Sequence, residues 1–98
     1  MYYGSTSPAM HEAGERFAAE GIAVDLMRIR AYPFPESVRD FVLAHDQCFL
    51  VEQNRDAQLR TLLVQEYGLD PALIHPILHY DGTPITADDI VNQIKTRI

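Results

Sequence analysis

The sequence has no tryptophan, one cysteine (Cys48) and one lysine (Lys95), set against fourteen acidic residues and seven arginines. A lone cysteine excludes an intrachain disulfide framework. It equally cannot hold an iron–sulfur cluster, so any redox centre is expected on another chain or domain. A formal net charge of -6 leaves no basic face to neutralise a phosphate backbone, which excludes nucleic acid as an expected partner. There is no run of 18 apolar residues and no basic-then-apolar amino terminus, so neither a membrane partner nor secretion is expected. A reducing, cytoplasmic setting fits these absences.

The 98 residues are 47% hydrophobic, enough for one domain over 1–98 with an ordinary core. Strand and helix patterns alternate along them. Met1-Tyr2-Tyr3 reads as a short first strand. Ser7 is the expected N-cap of a helix with Pro8 in its first position, and Met10, Ala13, Gly14 and Phe17 recur on one face before Gly21. Ile22 to Ile29 reads as a second strand, stopped by Tyr32-Pro33-Phe34-Pro35. A short helix follows, carrying Phe34, Val38, Phe41 and Val42 on one side.

Cys48 to Val51 is almost continuously apolar, as expected of a strand buried on both faces in a parallel sheet. Asp56 is the expected cap of a third helix whose apolar face is Leu59, Leu62, Leu63 and Tyr67, ended by Gly68. A last strand within Ile74–Tyr80 contains Pro76, which favours a sheet edge. Thr86 and Asp89 form an Asp variant of the capping box for a final helix with Ala87, Ile90, Val91, Ile94 and Ile98 on one face. The fold class expected is α/β: three layers, α/β/α, around a mostly parallel open sheet of about four strands with right-handed crossovers. The short first strand is expected to leave an exposed edge, which would permit a homo-oligomer.

Two segments could carry chemistry. Gly4, Ser5, Thr6 and Ser7, followed by Pro8, lie between a strand and a helix amino terminus, where unpaired N–H groups and the helix dipole favour a phosphate or carboxylate; the same small hydroxyl residues also suit a plain turn and cap. Glu52, Gln53, Asn54, Arg55 and Gln58 follow the central strand, at the carboxyl edge where open α/β sheets place ligand or partner contacts; turn and cap chemistry is the competing account of Asn54 and Asp56. No metal site is expected. His75 and His79 would stand roughly 13 Å apart in a strand, and they read with His11 and His45 as loop or surface histidines. Cys48 reads as buried, no Ser sits in a GxSxG elbow, and Asp81-Gly82 reads as a tight turn, so no catalytic residue is expected.

The chain as a whole resembles the carboxy-terminal domain of the alpha subunit of 2-oxoacid:acceptor oxidoreductases, nearest the 2-oxoglutarate:ferredoxin branch. The resemblance runs through Tyr3-Gly4-Ser5-Thr6, Glu12-Ala13 and Leu26-Met27-Arg28-Ile29-Arg30-Ala31-Tyr32-Pro33-Phe34. It is strongest in Val51-Glu52-Gln53-Asn54-Arg55-Asp56-Ala57-Gln58-Leu59 and closes with His79-Tyr80-Asp81-Gly82-Thr83-Pro84-Ile85-Thr86. It implies a transketolase C-terminal-like fold and a non-catalytic structural or interface role. It also implies an assembly that decarboxylates a 2-oxoacid with thiamine diphosphate and magnesium, passes electrons through iron–sulfur centres to ferredoxin, and forms an acyl-coenzyme A. The partners implied are the remaining alpha-subunit domains and the beta subunit. In the family the thiamine diphosphate contacts come from other domains, so no catalytic residue carries over. The chain is then expected to be part of a longer alpha subunit, whether as an excised domain, a split subunit or a truncated relic. The alternative from another class is a free-standing small-anion or nucleotide binding module using the Gly4–Pro8 loop.

Overall fold

A run as apolar as Cys48-Phe49-Leu50-Val51 must be covered on both faces, and the computed structural model, which describes residues 1–3, 7–30 and 34–98, shows how. The run extends to Glu52 as strand β3 (Cys48–Glu52), flanked by β1 (Tyr2–Tyr3) and β4 (Ile74–Leu78), with β2 (Arg28–Ile29) beyond β1. The order is β2-β1-β3-β4 and every pairing is parallel. The β3–β4 register runs from Cys48 opposite Ile74 to Glu52 opposite Leu78, and Tyr2 stands opposite Val51.

Period-two alternation divides the side chains between two apolar layers. Tyr2, Val51 and Ile77 join Met10, Ala13 and Phe17 of α1 (Ser7–Ala19) and Ile90, Val91 and Ile94 of α4 (Ala87–Lys95). Met1, Ile29, Cys48, Leu50 and Ile74 join Val38 and Val42 of α2 (Glu36–Leu43) and Leu63 of α3 (Gln58–Tyr67) on the other face. The expected three-layer α/β/α arrangement is therefore present. Arg16–Asp88 and Lys95–Glu20 ion pairs bridge α1 and α4 at the surface, each contributing at most about 1 kcal/mol.

Several expectations hold in detail. Thr86 accepts from the Asp89 amide while the Asp89 carboxylate accepts from the Thr86 amide, a complete capping box. Gly68 ends α3 with φ +61°. Asp81 accepts from both the amide and the hydroxyl of Thr83, closing the turn at Gly82, whose φ is +86°. Pro76 lies on an edge strand. His79 N–H donates to Glu52 O, so the odd-numbered residues of β4 face β3, and the missing donor of Pro76 falls on the outer side where no ladder needs it.

Other expectations are corrected. The second strand is not Ile22–Ile29 but Arg28–Ile29 alone. Its one neighbour, β1, pairs over two residues, and an extended segment without a facing strand has no ladder to join. Leu26 instead packs close to α1 at Gly14, where a Cβ would stand 3.3 Å from Leu26 Cδ1. The first strand is interior, so the sheet edges are β2 and β4 and not β1. Leu62 is 46% exposed, because the α3 residues turned to the core are Leu59, Leu63, Val64 and Tyr67. Ile98 is exposed as well, lying past the end of α4 at Lys95. The Gly4–Thr6 part of the expected anion loop and the Tyr32-Pro33 stop lie outside the described residues; Ser7, expected as N-cap, is the first residue of α1.

His45 ties the unpaired segment to α2. Its Nδ1–H donates to Phe41 O at 2.6 Å and its Nε2 stands 2.7 Å from Asp25 Oδ2. With an acceptor at each ring nitrogen, the Asp25 bond first and the Phe41 carbonyl second, the imidazolium is favoured and its pKa lies above the ordinary 6.5. A raised folded pKa stabilises the fold below the unfolded value, and that contribution is lost as pH rises through the folded pKa.

Two outcomes are expected. Leu63→Ala should destabilise the chain by about 3 kcal/mol in urea denaturation, whereas Leu62→Ala should cost under about 0.5 kcal/mol; equal losses would refute the observed phase of α3. In an NMR titration His45 should titrate above 6.5, and Asp25→Asn should lower its pKa; an unchanged value would remove the Asp25 pairing.

Candidate functional site

The crossover from β1 leads outward to β2, whereas β3 lies on the other side of β1. The direction of winding therefore reverses between β1 and β3, and open parallel sheets take ligands in the crevice outside the carboxyl ends of the two strands at such a point. The chain leaves β1 at Tyr3, which is 51% exposed, and leaves β3 at Glu52. Both segments singled out by sequence, Gly4–Ser7 and Glu52–Gln58, thus start from this one switch point. The geometry of Gly4–Thr6 lies outside the described residues.

The β3–α3 connection is built around Glu52, the one buried charged residue among those described. Its side chain turns under the connection to the first turn of α3. Oε1 accepts from Leu59 N at 2.6 Å and from Asn54 Nδ2 at 3.0 Å, and Oε2 accepts from Arg60 N at 3.1 Å. Asn54 Oδ1 accepts from Gln58 N at 3.2 Å. The first three amides of α3, which have no partners inside the helix, are all taken by side chains. Asp56, the cap expected from sequence, lies apart from them and pairs with Arg55 at 3.1 Å. The N-cap position belongs to Ala57, held at φ 50° and ψ 48° with no side-chain cap bond of its own.

This arrangement decides what the switch point offers. A helix amino terminus attracts an anion through its amides and its dipole, and Glu52 supplies that anion from within the chain. An external phosphate or carboxylate would have to displace it. Of the five residues expected as contacts, Glu52 faces inward and Asn54 is half-buried beside it. Gln53, Arg55 and Gln58 are exposed.

Sequence reasoning missed two polar anchors. Arg60 sends Nε to Ile74 O and a terminal nitrogen to Pro71 O, both at 2.7 Å, clamping α3 to the start of β4. Its place among Leu59, Leu62 and Leu63 on a partly apolar helix is the only sequence signal. His79 lies in the loop after β4, within the expected loop or surface placement, but is enclosed there: its side chain is 11% exposed, Nε2–H donates to Thr83 O at 2.7 Å, and Asp81 and Asp89 stand at 3.2 and 3.7 Å. It joins the end of β4 to the turn and to the cap of α4. Cys48 is buried, and burial pushes its thiol above the ordinary value, unlike a reactive thiolate.

Among the described residues no group of three or more His, Cys, Asp or Glu side chains is placed to hold a metal ion. With one cysteine in the chain, the residues present do not fit an iron–sulfur cluster. Among the described residues no helix is long and apolar enough to cross a membrane. No family model, no curated protein and no solved structure matches the chain.

Glu52→Gln should destabilise the chain by about 1–3 kcal/mol, because an amide can present only one oxygen to the three donors and turns its own N–H groups toward them. Chemical denaturation measures it, with α3 amide hydrogen exchange speeding up in parallel. A change below about 0.5 kcal/mol would mean that water caps α3 as well as Glu52 does.

Proposed function

We propose that the chain is a non-catalytic assembly domain: the carboxy-terminal, transketolase C-terminal-like domain of the alpha subunit of a 2-oxoacid:ferredoxin oxidoreductase, with 2-oxoglutarate as the parent substrate. The observation that carries this reading is the build of the β3–α3 connection. Its anion-holding amides are satisfied internally by Glu52 and Asn54, while Gln53, Arg55 and Gln58 are turned outward. A pre-satisfied, locally fixed loop suits contact with another protein surface better than capture of a small anion, since it presents side chains without needing to rearrange. The ordered likeness of Val51–Leu59 and His79–Thr86 to the alpha subunits supports the assignment, as does a parallel α/β/α sheet. Under this reading thiamine diphosphate, magnesium, the iron–sulfur cluster and coenzyme A are held by the other domains and the beta subunit. Ferredoxin is the electron acceptor of the whole complex. The domain's part is to hold those pieces in register in the cytoplasm.

The second reading, a small-anion or nucleotide binding module on the Gly4–Pro8 loop, is favoured by one observation: β1 leads into α1 at the switch point, where parallel sheets take ligands.

Co-expression with the remaining alpha-subunit domains and the beta subunit separates the two. A stable complex is expected on gel filtration, weakened at least tenfold by Gln53→Ala combined with Arg55→Glu, with the circular dichroism of the free domain unchanged. If the chain never associates, and calorimetry shows it binding adenine nucleotides or coenzyme A, the assembly reading falls.

A further inference from the structure

The sheet has two edges, β4 and β2, and the chain treats them differently. On β4 the outward backbone belongs to Ile74, Pro76 and Leu78, and most of it is used. Ile74 donates to Pro71 O and accepts from Arg60 Nε at 2.7 Å, Pro76 has no N–H, and Leu78 O accepts from Gln93 Nε2 at 3.2 Å. On β2 the Tyr2 amide donates to Met27 O at 3.1 Å, so the odd-numbered residues face β1. The N–H and C=O of Arg28 and the N–H of Arg30 therefore point away from the sheet. None of these takes a hydrogen bond among the described residues.

The side chains on this open edge are Arg28 and Arg30, both exposed, on either side of the buried Ile29. Alternation puts the two arginines on one face, roughly 6.6 Å apart along the strand. Neither guanidinium has a partner among the described residues. By contrast Arg16, Arg39, Arg55 and Lys95 pair with carboxylates, and Arg60 and Arg97 hold carbonyl oxygens. In a chain of net charge -6, the two free cations thus stand together beside the unpaired backbone groups.

We infer that the β2 edge is a strand-addition site for an acidic extended segment of a partner polypeptide, with carboxylates at alternate positions and an apolar residue between them. The backbone of such a segment meets the outward groups of Arg28 and Arg30, as in other sheets that take up a peptide strand. Carboxylates two residues apart fall opposite the two guanidiniums, as cross-strand pairs of opposite charge. The residue between them shares the face of Ile29 and continues the apolar layer that holds Ile29 and Met27. Charge also decides against a second copy of this chain, because edge-to-edge pairing would set arginine against arginine. Charged side chains on an edge strand guard against such self-pairing, and an acidic partner turns that guard into selection. The inference does not rest on the assembly reading, and its failure would leave that reading to its own co-expression test.

The test uses the chain alone, ¹⁵N-labelled, titrated with the peptide acetyl-Thr-Glu-Val-Glu-Val-Glu-Thr-amide. Saturable shifts are expected at Arg28, Ile29 and Arg30, with at least fivefold slower exchange of the Arg28 and Arg30 amides and no change at Leu78 on the opposite edge. Acetyl-Thr-Glu-Glu-Val-Val-Glu-Thr-amide has the same composition without the alternate spacing and should bind at least tenfold more weakly. Arg28→Glu combined with Arg30→Glu, both at exposed positions, should abolish binding with unchanged circular dichroism and accept acetyl-Thr-Lys-Val-Lys-Val-Lys-Thr-amide instead. No saturable shift at millimolar peptide would overturn the proposal, as would equal binding of the respaced peptide, which would reduce the edge to plain charge attraction. A dimer on sedimentation with the Arg28 amide already protected in the free chain would assign the edge to a second copy and overturn it too.

Discussion

A single carboxylate has to satisfy two elements at once. Glu52 is the last residue of the central strand, so its backbone belongs to the sheet, where its carbonyl accepts from His79 N. Its side chain belongs to α3, where it takes the Leu59 and Arg60 amides. A buried carboxylate without partners would be costly, and three uncapped amides at a helix start would be costly too. Each problem removes the other. The angle at which α3 leaves the sheet is thereby fixed, and with it the position of Leu63 in the core and of Arg60 over the start of β4. The left-handed conformation of Ala57, unfavourable by roughly 1–2 kcal/mol for a residue with a Cβ, is what the chain accepts to bring Glu52 under the helix.

Much of this fold was legible because its signals are local. The capping box at Thr86 and Asp89, the left-handed glycine at Gly68 and the outward-facing Pro76 each depend on residues within a few positions, and each stands as read. The readings that failed needed a neighbour distant in sequence. Ile22–Ile29 has the composition of a strand, but a strand requires a facing ladder, and Tyr2–Tyr3 provides two residues of one. Leu62 fits the helical period as well as Leu63 does, and only the direction of the sheet decides between them. Asp56 has the chemistry of a cap and stands next to the helix. Glu52, six residues before the helix, takes the role because the strand aims it there. His79 sits in a loop as read, and what the sequence did not show is that the turn at Asp81–Thr83 folds back over it.

The candidate site was half legible for the same reason. Sequence placed Glu52–Gln58 at the carboxyl edge, and the strand order sharpens that into the switch point beside β1. What no local pattern showed is that the site's most distinctive charge is already used. In many parallel α/β sheets the amides of a helix start at this edge meet a ligand. Here α3 meets Glu52 instead, so the connection is a finished structural element that shows Gln53, Arg55 and Gln58 to the outside.

The two ends of the sheet then differ in kind. At the carboxyl edge the polar groups of the β3–α3 connection are matched from within the chain. At the amino edge, side chains from both apolar layers, Met10, Phe17 and Ile94 with Phe41, line a cavity of about 320 Å³. Burying apolar surface there would yield about 25 cal/mol for each Å² covered, a gain that a rigid polar loop at the opposite edge cannot offer. Apolar burial at the one edge is non-directional, whereas hydrogen bonds and ion pairs at the other fix register. The Asp25–His45 pair holds one wall of that cavity to α2, so its shape is set from within the chain.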